Sequence, residues 1–119
     1  VLGLASPLSE SPGESFSRLF FDEHGIDQPA QQVDLRTPGG RFVARVDFLW
    51  AQEGVVGEFD GMVKYADPAD LRREKLRQEQ IERLGYAVAR WTWTDLQQHP
   101  AATAARVQRI RERRSRHAV

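Results

Sequence analysis

Apolar and polar residues alternate along this chain with two different periods, one typical of helices and the other of strands. Phe16, Leu19 and Phe20 recur at helical spacing after a Ser-Pro start, whereas the segment from Phe42 to Trp50 alternates with a period of two. The helices are predicted at 12–25, at 68–84, and from Thr94 onward, resuming after Pro100. The strands are predicted at 31–36, 41–50, 55–60 and 86–93. The order αβββαβα predicts an α/β fold in which helices pack around a mixed four-stranded sheet.

Two of these elements carry specific expectations. Strict alternation in the second strand places Ala44, Val46, Phe48 and Trp50 on one face and Asp47 on the other. The helix 68–84 has too few apolar residues to form a continuous stripe, so we expect it to turn polar groups towards the sheet. The alternative is a half-exposed helix with ion pairs along its surface.

Length and composition limit the class of protein. The 119 residues predict a single domain, 1–119, with a core over about 9–97 and a basic C-terminal helix over 101–116. The absence of cysteine excludes a disulfide scaffold, and no apolar run approaches the roughly 20 residues of a membrane span. We therefore expect a cytoplasmic protein without a membrane partner. Because the chain begins without Met, we also expect it to be a fragment of a longer protein.

The neutral net charge hides an uneven distribution. Residues 1–70 contain five basic and twelve acidic side chains, a net charge of −7, and residues 71–119 carry +7. An acidic half beside an arginine-rich half suits a ligand with a phosphate backbone, such as DNA. The simpler interpretation is that the C-terminal helices have solvated basic faces.

Three acidic residues on two consecutive strands are the strongest chemical signal. Asp47 lies in one strand, Glu58 and Asp60 lie in the next, and only Ala51 to Gly54 separate the strands, which is hairpin-loop length. Carboxylates on paired strands can converge on one divalent cation. Two of the three have a simpler interpretation: Asp47 as an ion-pair partner of Arg45 or Arg41, and Asp60 with the following glycine as a turn. Glu58 is harder to dismiss, because it interrupts an apolar strand.

These motifs form an ordered set with a family resemblance. The set comprises Glu14 in a Ser-Pro-x-Glu-Ser helix start, Asp47 in RVDFLW, Glu58 and Asp60 in GEFDG, and a helix with EKLRQE before GYAVARWTWTDL. It resembles the small domains related to very-short-patch-repair endonucleases in the PD-(D/E)xK nuclease superfamily. Many such domains lie at the C-terminal end of actinobacterial proteins whose N-terminal part resembles AbiE-type antitoxin regulators.

The resemblance implies a restriction-endonuclease-like three-layer core and a set of site residues. Glu14 matches the acidic residue of the first helix, and Asp47 and Glu58 match the metal-binding carboxylates. The superfamily lysine normally follows the second acid by two residues, where this chain has Asp60. Lys75 on the polar helix and Lys64 beyond the strand are the candidates to replace it, with Glu74 and Arg77 at the rim.

These residues would support hydrolysis of a phosphodiester bond. Asp47, Glu58 and the backbone carbonyl of Phe59 would bind Mg²⁺, or Mn²⁺ instead, because hard cations take oxygen ligands. Glu14 or Asp60 would bind a second ion or orient water, although Glu14 also fits a helix-capping role. The predicted contacts to the DNA backbone are Arg73, Arg77, Arg109 and Arg113. The histidines and tryptophans are not expected to act in the site. We expect surface positions for His24, His99 and His117, and core or sheet-face positions for Trp50, Trp91 and Trp93.

Three functions follow from the sequence. The first is a metal-dependent DNA endonuclease or nickase. The second is a catalytically degenerate domain with the same fold that binds DNA or a protein within a regulator. The third is a structural dimerisation domain, and a dimer is compatible with each of the three.

Overall fold

The computed structural model describes residues 11–61 and 67–117, which form four helices and one sheet. The helices are α1 (Pro12–Glu23), α2 (Pro68–Arg83), α3 (Trp93–Gln98) and α4 (Pro100–His117). The strands are β1 (Ala30–Arg36), β2 (Phe42–Trp50), β3 (Val55–Phe59) and β4 (Ala87–Trp91), in the sheet order β1-β2-β3-β4. The first three strands are antiparallel neighbours, and α2 carries the chain over to β4, which pairs with β3 in parallel. The α/β class and the mixed four-stranded sheet are therefore confirmed.

Local capping groups set the helix boundaries. Ser11 caps α1 by accepting a hydrogen bond from the backbone N–H of Glu14 at 3.2 Å. The prediction that the fourth strand reaches residue 93 and that Thr94 caps the next helix is wrong. Thr92 is the N-cap, because its hydroxyl and the carboxylate of Asp95 each accept the other's backbone N–H in a capping box, so β4 ends at Trp91.

Helices cover both faces of the sheet. On one face α1, α3 and α4 pack over a cluster centred on Trp91, which includes Phe21, Trp50 and Val107. On the other face α2 contributes Ile81, its one buried residue, to a cluster with Leu35, Val46 and Val56. The rest of the sheet-facing side of α2 is polar, as its sequence predicts. This polar side lies over the ends of β3 and β4.

The predicted strict alternation of the second strand is wrong at Asp47. Ala44 and Val46 pack in the α2-side cluster, whereas Phe48 and Trp50 pack in the cluster on the opposite face. Gln31 pairs with Phe48 and Val33 with Val46, so the break lies opposite Gln32, whose φ of 51° is in the left-handed region. The irregular backbone of the neighbouring strand thus coincides with the change of face in β2.

Gly57 is required by close packing rather than by its backbone conformation. A Cβ atom at this position would lie 2.7 Å from Cη2 of Trp91 and 2.9 Å from Cζ3 of Trp50, and both rings are buried. We expect Gly57→Ala to lower the free energy of unfolding by about 1–3 kcal/mol, because neither ring has space to move. Urea denaturation of Gly57→Ala and of a control, Gly39→Ala, tests this. At Gly39 the nearest atom to an added Cβ would be 3.8 Å away, which is an ordinary contact. Equal stability of the two variants would contradict it.

A buried arginine attaches the last helix to the sheet. Arg111 donates hydrogen bonds to Asp27 at 2.9 Å and to Glu53 at 3.1 Å, and its guanidinium lies 5.5 Å from the centre of the Trp50 ring. Arg114 donates to the carbonyls of Glu53 and Gly85. Part of the basic character of α4 therefore serves the fold instead of facing outward. In residues 11–61 and 67–117, no helix is long and apolar enough to cross a membrane.

Candidate functional site

The candidate site begins where β2 and β3 separate. From the hairpin these strands pair in register as far as Phe48 and Gly57. Beyond this pair, the carboxylate of Asp47, one residue before Phe48, accepts a hydrogen bond from the backbone N–H of Phe59, two residues after Gly57, at 3.0 Å. Because the N–H and C=O of a strand residue point to the same side, the carbonyl of Phe59 also faces β2. The Asp47 carboxylate thus accepts the N–H of Phe59 in place of a backbone carbonyl of β2.

Seven of the described residues line a pocket of about 230 Å³ at this point, which we call the carboxylate pocket. It contains the three acidic residues that the sequence singled out, together with two arginines. Its lining residues are Asp47, Glu58, Phe59, Asp60, Glu74, Arg77 and Arg90. The three acidic residues of the two strands therefore line one pocket.

Glu58 lies between two guanidinium groups. Its side chain is 8% exposed, and both of its oxygens accept hydrogen bonds from Arg77, one of them at 3.1 Å. Arg90, its register partner on β4, lies 3.8 Å from the same carboxylate. A buried carboxylate needs such partners, because removing its charge from water is costly. The charge of Glu58 is therefore balanced inside the pocket.

Asp47 has a different environment. Within the described part of the chain, no arginine or lysine forms an ion pair with it. Arg45, one of its predicted partners, pairs with Asp34 at 2.8 Å instead. Burial raises the pKa of Asp47 to about 7, and the negative charges of Glu14 and Glu58 raise it further, against the Phe59 hydrogen bond and Arg77. A carboxyl group with this pKa exchanges its proton near neutral pH. An added cation would stabilise its negative charge.

The first helix and first strand complete the surroundings of Asp47. The Gln32 side chain donates a hydrogen bond to Glu14 at 2.7 Å, so the left-handed residue of β1 is tied to α1. Glu14 is half-buried and also accepts from the hydroxyl of its helix cap, Ser11. Its capping role and its position near Asp47 thus coexist.

The predicted basic residues occupy different positions. Lys75 lines a neighbouring cavity of about 410 Å³, which shares Asp60, Glu74 and Arg90 with the carboxylate pocket. Lys64 lies outside the described residues. Arg77, predicted as a rim or DNA contact, and Glu74, predicted at the rim, both line the carboxylate pocket from α2. Arg73 pairs with Asp70 on the exposed side of α2, and Arg109 and Arg113 are exposed on α4.

Sequence reasoning missed Arg90 and Gln32. Arg90 is a charged residue in the otherwise apolar stretch AVARW, and this interruption is the same signal that identified Glu58 one strand away. Besides facing Glu58, it donates to Glu74 at 3.2 Å and to Gln78 at 3.0 Å. Gln32 gives no sequence signal, because its role depends on its backbone conformation.

The chemistry of the pocket fits a hard divalent cation. Asp47, Glu58 and the Phe59 carbonyl offer only oxygen donors, which Mg²⁺ and Mn²⁺ prefer. As the side chains stand, residues 11–61 and 67–117 contain no group of three acidic or histidine side chains arranged around a common point. Glu58 is directed towards Arg77, so binding an ion would require that carboxylate to be released.

Comparisons with known proteins add relatives but no function. The chain is 31% identical over 113 residues to two uncharacterised proteins from two strains of Mycobacterium tuberculosis. The match covers 95% of this chain and 41% of each relative, so the chain spans about two fifths of their length. No family model matches the chain, and no solved structure matches it significantly.

Proposed function

We infer that this chain is a divalent-metal-dependent DNA endonuclease or nickase domain with a restriction-endonuclease-like core. The observation that carries the proposal is the meeting of Asp47 and Glu58 in one pocket where β2 and β3 separate, with Glu14 close to Asp47. This arrangement supports the resemblance of the sequence motifs to the PD-(D/E)xK nucleases. The sheet order and the helices on both faces of the sheet also support a restriction-endonuclease-like core.

The residues of the pocket have separate roles in this proposal. Asp47, Glu58 and the Phe59 carbonyl would hold Mg²⁺ or Mn²⁺, which when bound would activate water and stabilise charge on the phosphate. Asp60 lines the pocket and can accept a hydrogen bond from the attacking water. The guanidinium groups of Arg77 and Arg90 can neutralise the negative charge that develops on the phosphate oxygens. The two arginines supply the positive charge that the superfamily lysine supplies in related enzymes.

The exposed arginines on α2 and α4 would hold the DNA backbone. Arg73, Arg109 and Arg113 are exposed, and such side chains contact phosphates without reading sequence. Each phosphate contact adds to the salt dependence of binding. The proposal therefore includes DNA affinity that falls steeply with ionic strength.

Incubation of the chain with supercoiled plasmid in Mg²⁺, and separately in Mn²⁺, tests the proposal. We expect nicked plasmid in both metals, none in EDTA, and none with Glu58→Gln, which keeps the side-chain shape but loses the charge. Asp34→Asn is the matched control, because Asp34 is also an acid paired with an arginine but lies outside the carboxylate pocket. We expect it to nick like the unmodified chain. Nicking that survives EDTA or Glu58→Gln in a folded sample would reject the proposed site.

One observation favours a second candidate, a degenerate domain of the same fold that binds DNA without cutting it. Asp60 occupies the usual lysine position, and Arg77 already neutralises Glu58 through two hydrogen bonds. A domain of this kind would leave the plasmid intact in every metal. It would still retard DNA in EDTA, in a salt-dependent manner, and Asp47→Ala would not alter that binding.

A further inference from the structure

Arg77 and Glu58 form the central contact of the carboxylate pocket. The guanidinium uses two of its donors on the two oxygens of Glu58, so the negative charge of that carboxylate is already compensated by a cation. Asp47, in the same pocket, receives a hydrogen bond from Phe59 but no ion pair within the described ranges. Of the two carboxylates proposed as metal ligands, Glu58 is therefore paired with an arginine of the pocket and Asp47 is not.

The position of Arg77 allows it to leave Glu58 without leaving the pocket. One of its terminal nitrogens also donates to the carbonyl of Arg45 at 2.7 Å, an anchor on β2 that does not depend on Glu58. Its side chain is 28% exposed, compared with 8% for Glu58, so Arg77 is the more solvent-accessible partner of the pair. A guanidinium turned outward from this anchor would face an incoming phosphate.

We propose that Arg77 takes the place of the divalent cation at Glu58, and that the entering ion displaces it to bind a substrate phosphate. The inference rests on the proposed metal-dependent function. A Mg²⁺ or Mn²⁺ ion would bind the same two oxygens that Arg77 bonds, and the two positive charges repel each other, so the two cations compete for Glu58. Without metal, Arg77 is bonded to Glu58. With metal at Glu58, Arg77 is available to bind the substrate phosphate.

Arg90 does not fill the same role. It lies 3.8 Å from Glu58, and two of its guanidinium nitrogens donate to Glu74 and Gln78. Arg90 is thus held by α2 whether or not Glu58 binds an ion. The exchange is assigned to Arg77 because its guanidinium satisfies both oxygens of the candidate ligand.

Mn²⁺ affinity measured by electron paramagnetic resonance at pH 8, without DNA, tests the exchange. We expect Arg77→Gln to bind Mn²⁺ about 10-fold more tightly than the unmodified chain, because the competing cation is gone. Arg77→Lys, which keeps the charge but cannot make two parallel hydrogen bonds, should lie between them. Arg73→Gln is the matched control on the same helix, where the arginine pairs with Asp70 outside the pocket, and its affinity should not change.

A second measurement uses the unmodified chain and therefore requires no folded variant. In the unmodified chain, saturating Mg²⁺ should shift or broaden the side-chain nuclear magnetic resonance signals of Arg77 and leave those of Arg73 in place. Unchanged Arg77 signals at saturation, or equal Mn²⁺ affinity of the folded Arg77→Gln and unmodified chains, would overturn the inference. Neither readout uses cleavage. An intact plasmid together with tighter Mn²⁺ binding by Arg77→Gln would retain the exchange and reject nuclease activity.

Discussion

Replacing Asp47 with Asn is expected to remove nicking activity and to stabilise the fold at alkaline pH. Burial and two neighbouring negative charges raise the pKa of Asp47 to about 7 from the ordinary value of 3.8. A carboxyl group whose pKa is raised on folding stabilises the protein fully below its unfolded pKa, and this contribution is lost as the pH rises through about 7. The unmodified chain should therefore lose stability between about pH 4 and pH 7 on account of this group.

Asn removes that titration while keeping a carbonyl oxygen for the Phe59 N–H. At pH 8.5 we expect Asp47→Asn to have a free energy of unfolding about 2 kcal/mol above that of the unmodified chain, since partial contact with solvent reduces the full effect. At pH 4.5 the difference should be much smaller, because only a minor part of the loss has occurred at that pH. Urea denaturation at both pH values measures the difference. Nicking in Mg²⁺ should fall at least about 100-fold, because one of the two charged ligands is lost.

Asp34→Asn provides the contrast for Asp47→Asn. The hydrogen bond and charge of Arg45 lower the pKa of Asp34, so its contribution to stability is present above its unfolded pKa and is lost only in acid. Its removal should give no gain at pH 8.5 and no loss of nicking. A stability gain for Asp47→Asn that is equal at pH 4.5 and pH 8.5 would mean that the pKa of Asp47 is not raised. Normal nicking by Asp47→Asn would remove Asp47 from the proposed metal ligands.

Replacing Trp91 with Ala is expected to cause the largest loss of stability. Trp91 is fully buried, lies edge-on to Phe21 at 5.6 Å between ring centres, and stacks on Phe48 at 6.0 Å. Its indole N–H donates to the Ser17 hydroxyl at 2.8 Å, which in turn donates to the Gly13 carbonyl at 2.7 Å. Loss of the ring leaves a cavity under α1 and costs about 3–5 kcal/mol, a large share of the stability of a small domain. Urea denaturation measures it.

Two further variants separate the ring from its hydrogen bond. Trp91→Phe keeps most of the buried ring and loses the donor to Ser17, so we expect a cost of about 1–2 kcal/mol. Trp93→Phe is the matched control, because Trp93 is half-buried and lies at the edge of the cluster against Phe16 and Phe59. Its cost should be smaller than that of Trp91→Phe. A loss below about 1 kcal/mol for Trp91→Ala would contradict the central position of this ring.

Local patterns in the sequence predicted most of the secondary structure. Ser11 and Asp67 begin the two long helices that precede β4, because their side chains accept backbone N–H groups only a few residues away. The four residues from Ala51 to Gly54 predicted the hairpin that brings Asp47 towards Glu58. The same local reasoning failed at residues 92–94, where Thr92 and Thr94 are both capable caps and only Thr92 is completed by Asp95.

The make-up of the pocket required the tertiary structure. Arg90 faces Glu58 because β4 joins β3 in parallel after a helical crossover, and that register depends on packing rather than on nearby sequence. Arg77 and Lys75 lie two positions apart on one helix, so they point in widely different directions. Which of them enters the pocket depends on the rotation of α2 about Ile81, its buried contact with the sheet.

By itself, then, the sequence determined the order of the helices and strands and the acidic residues of the hairpin, because these features depend on neighbours along the chain. The tertiary structure decided the change of face at Asp47, the left-handed backbone at Gln32, and the two arginines that surround Glu58. Each of these depends on contacts between residues far apart in sequence. The position of a buried charge and its partner is fixed only when the elements that carry them are packed together.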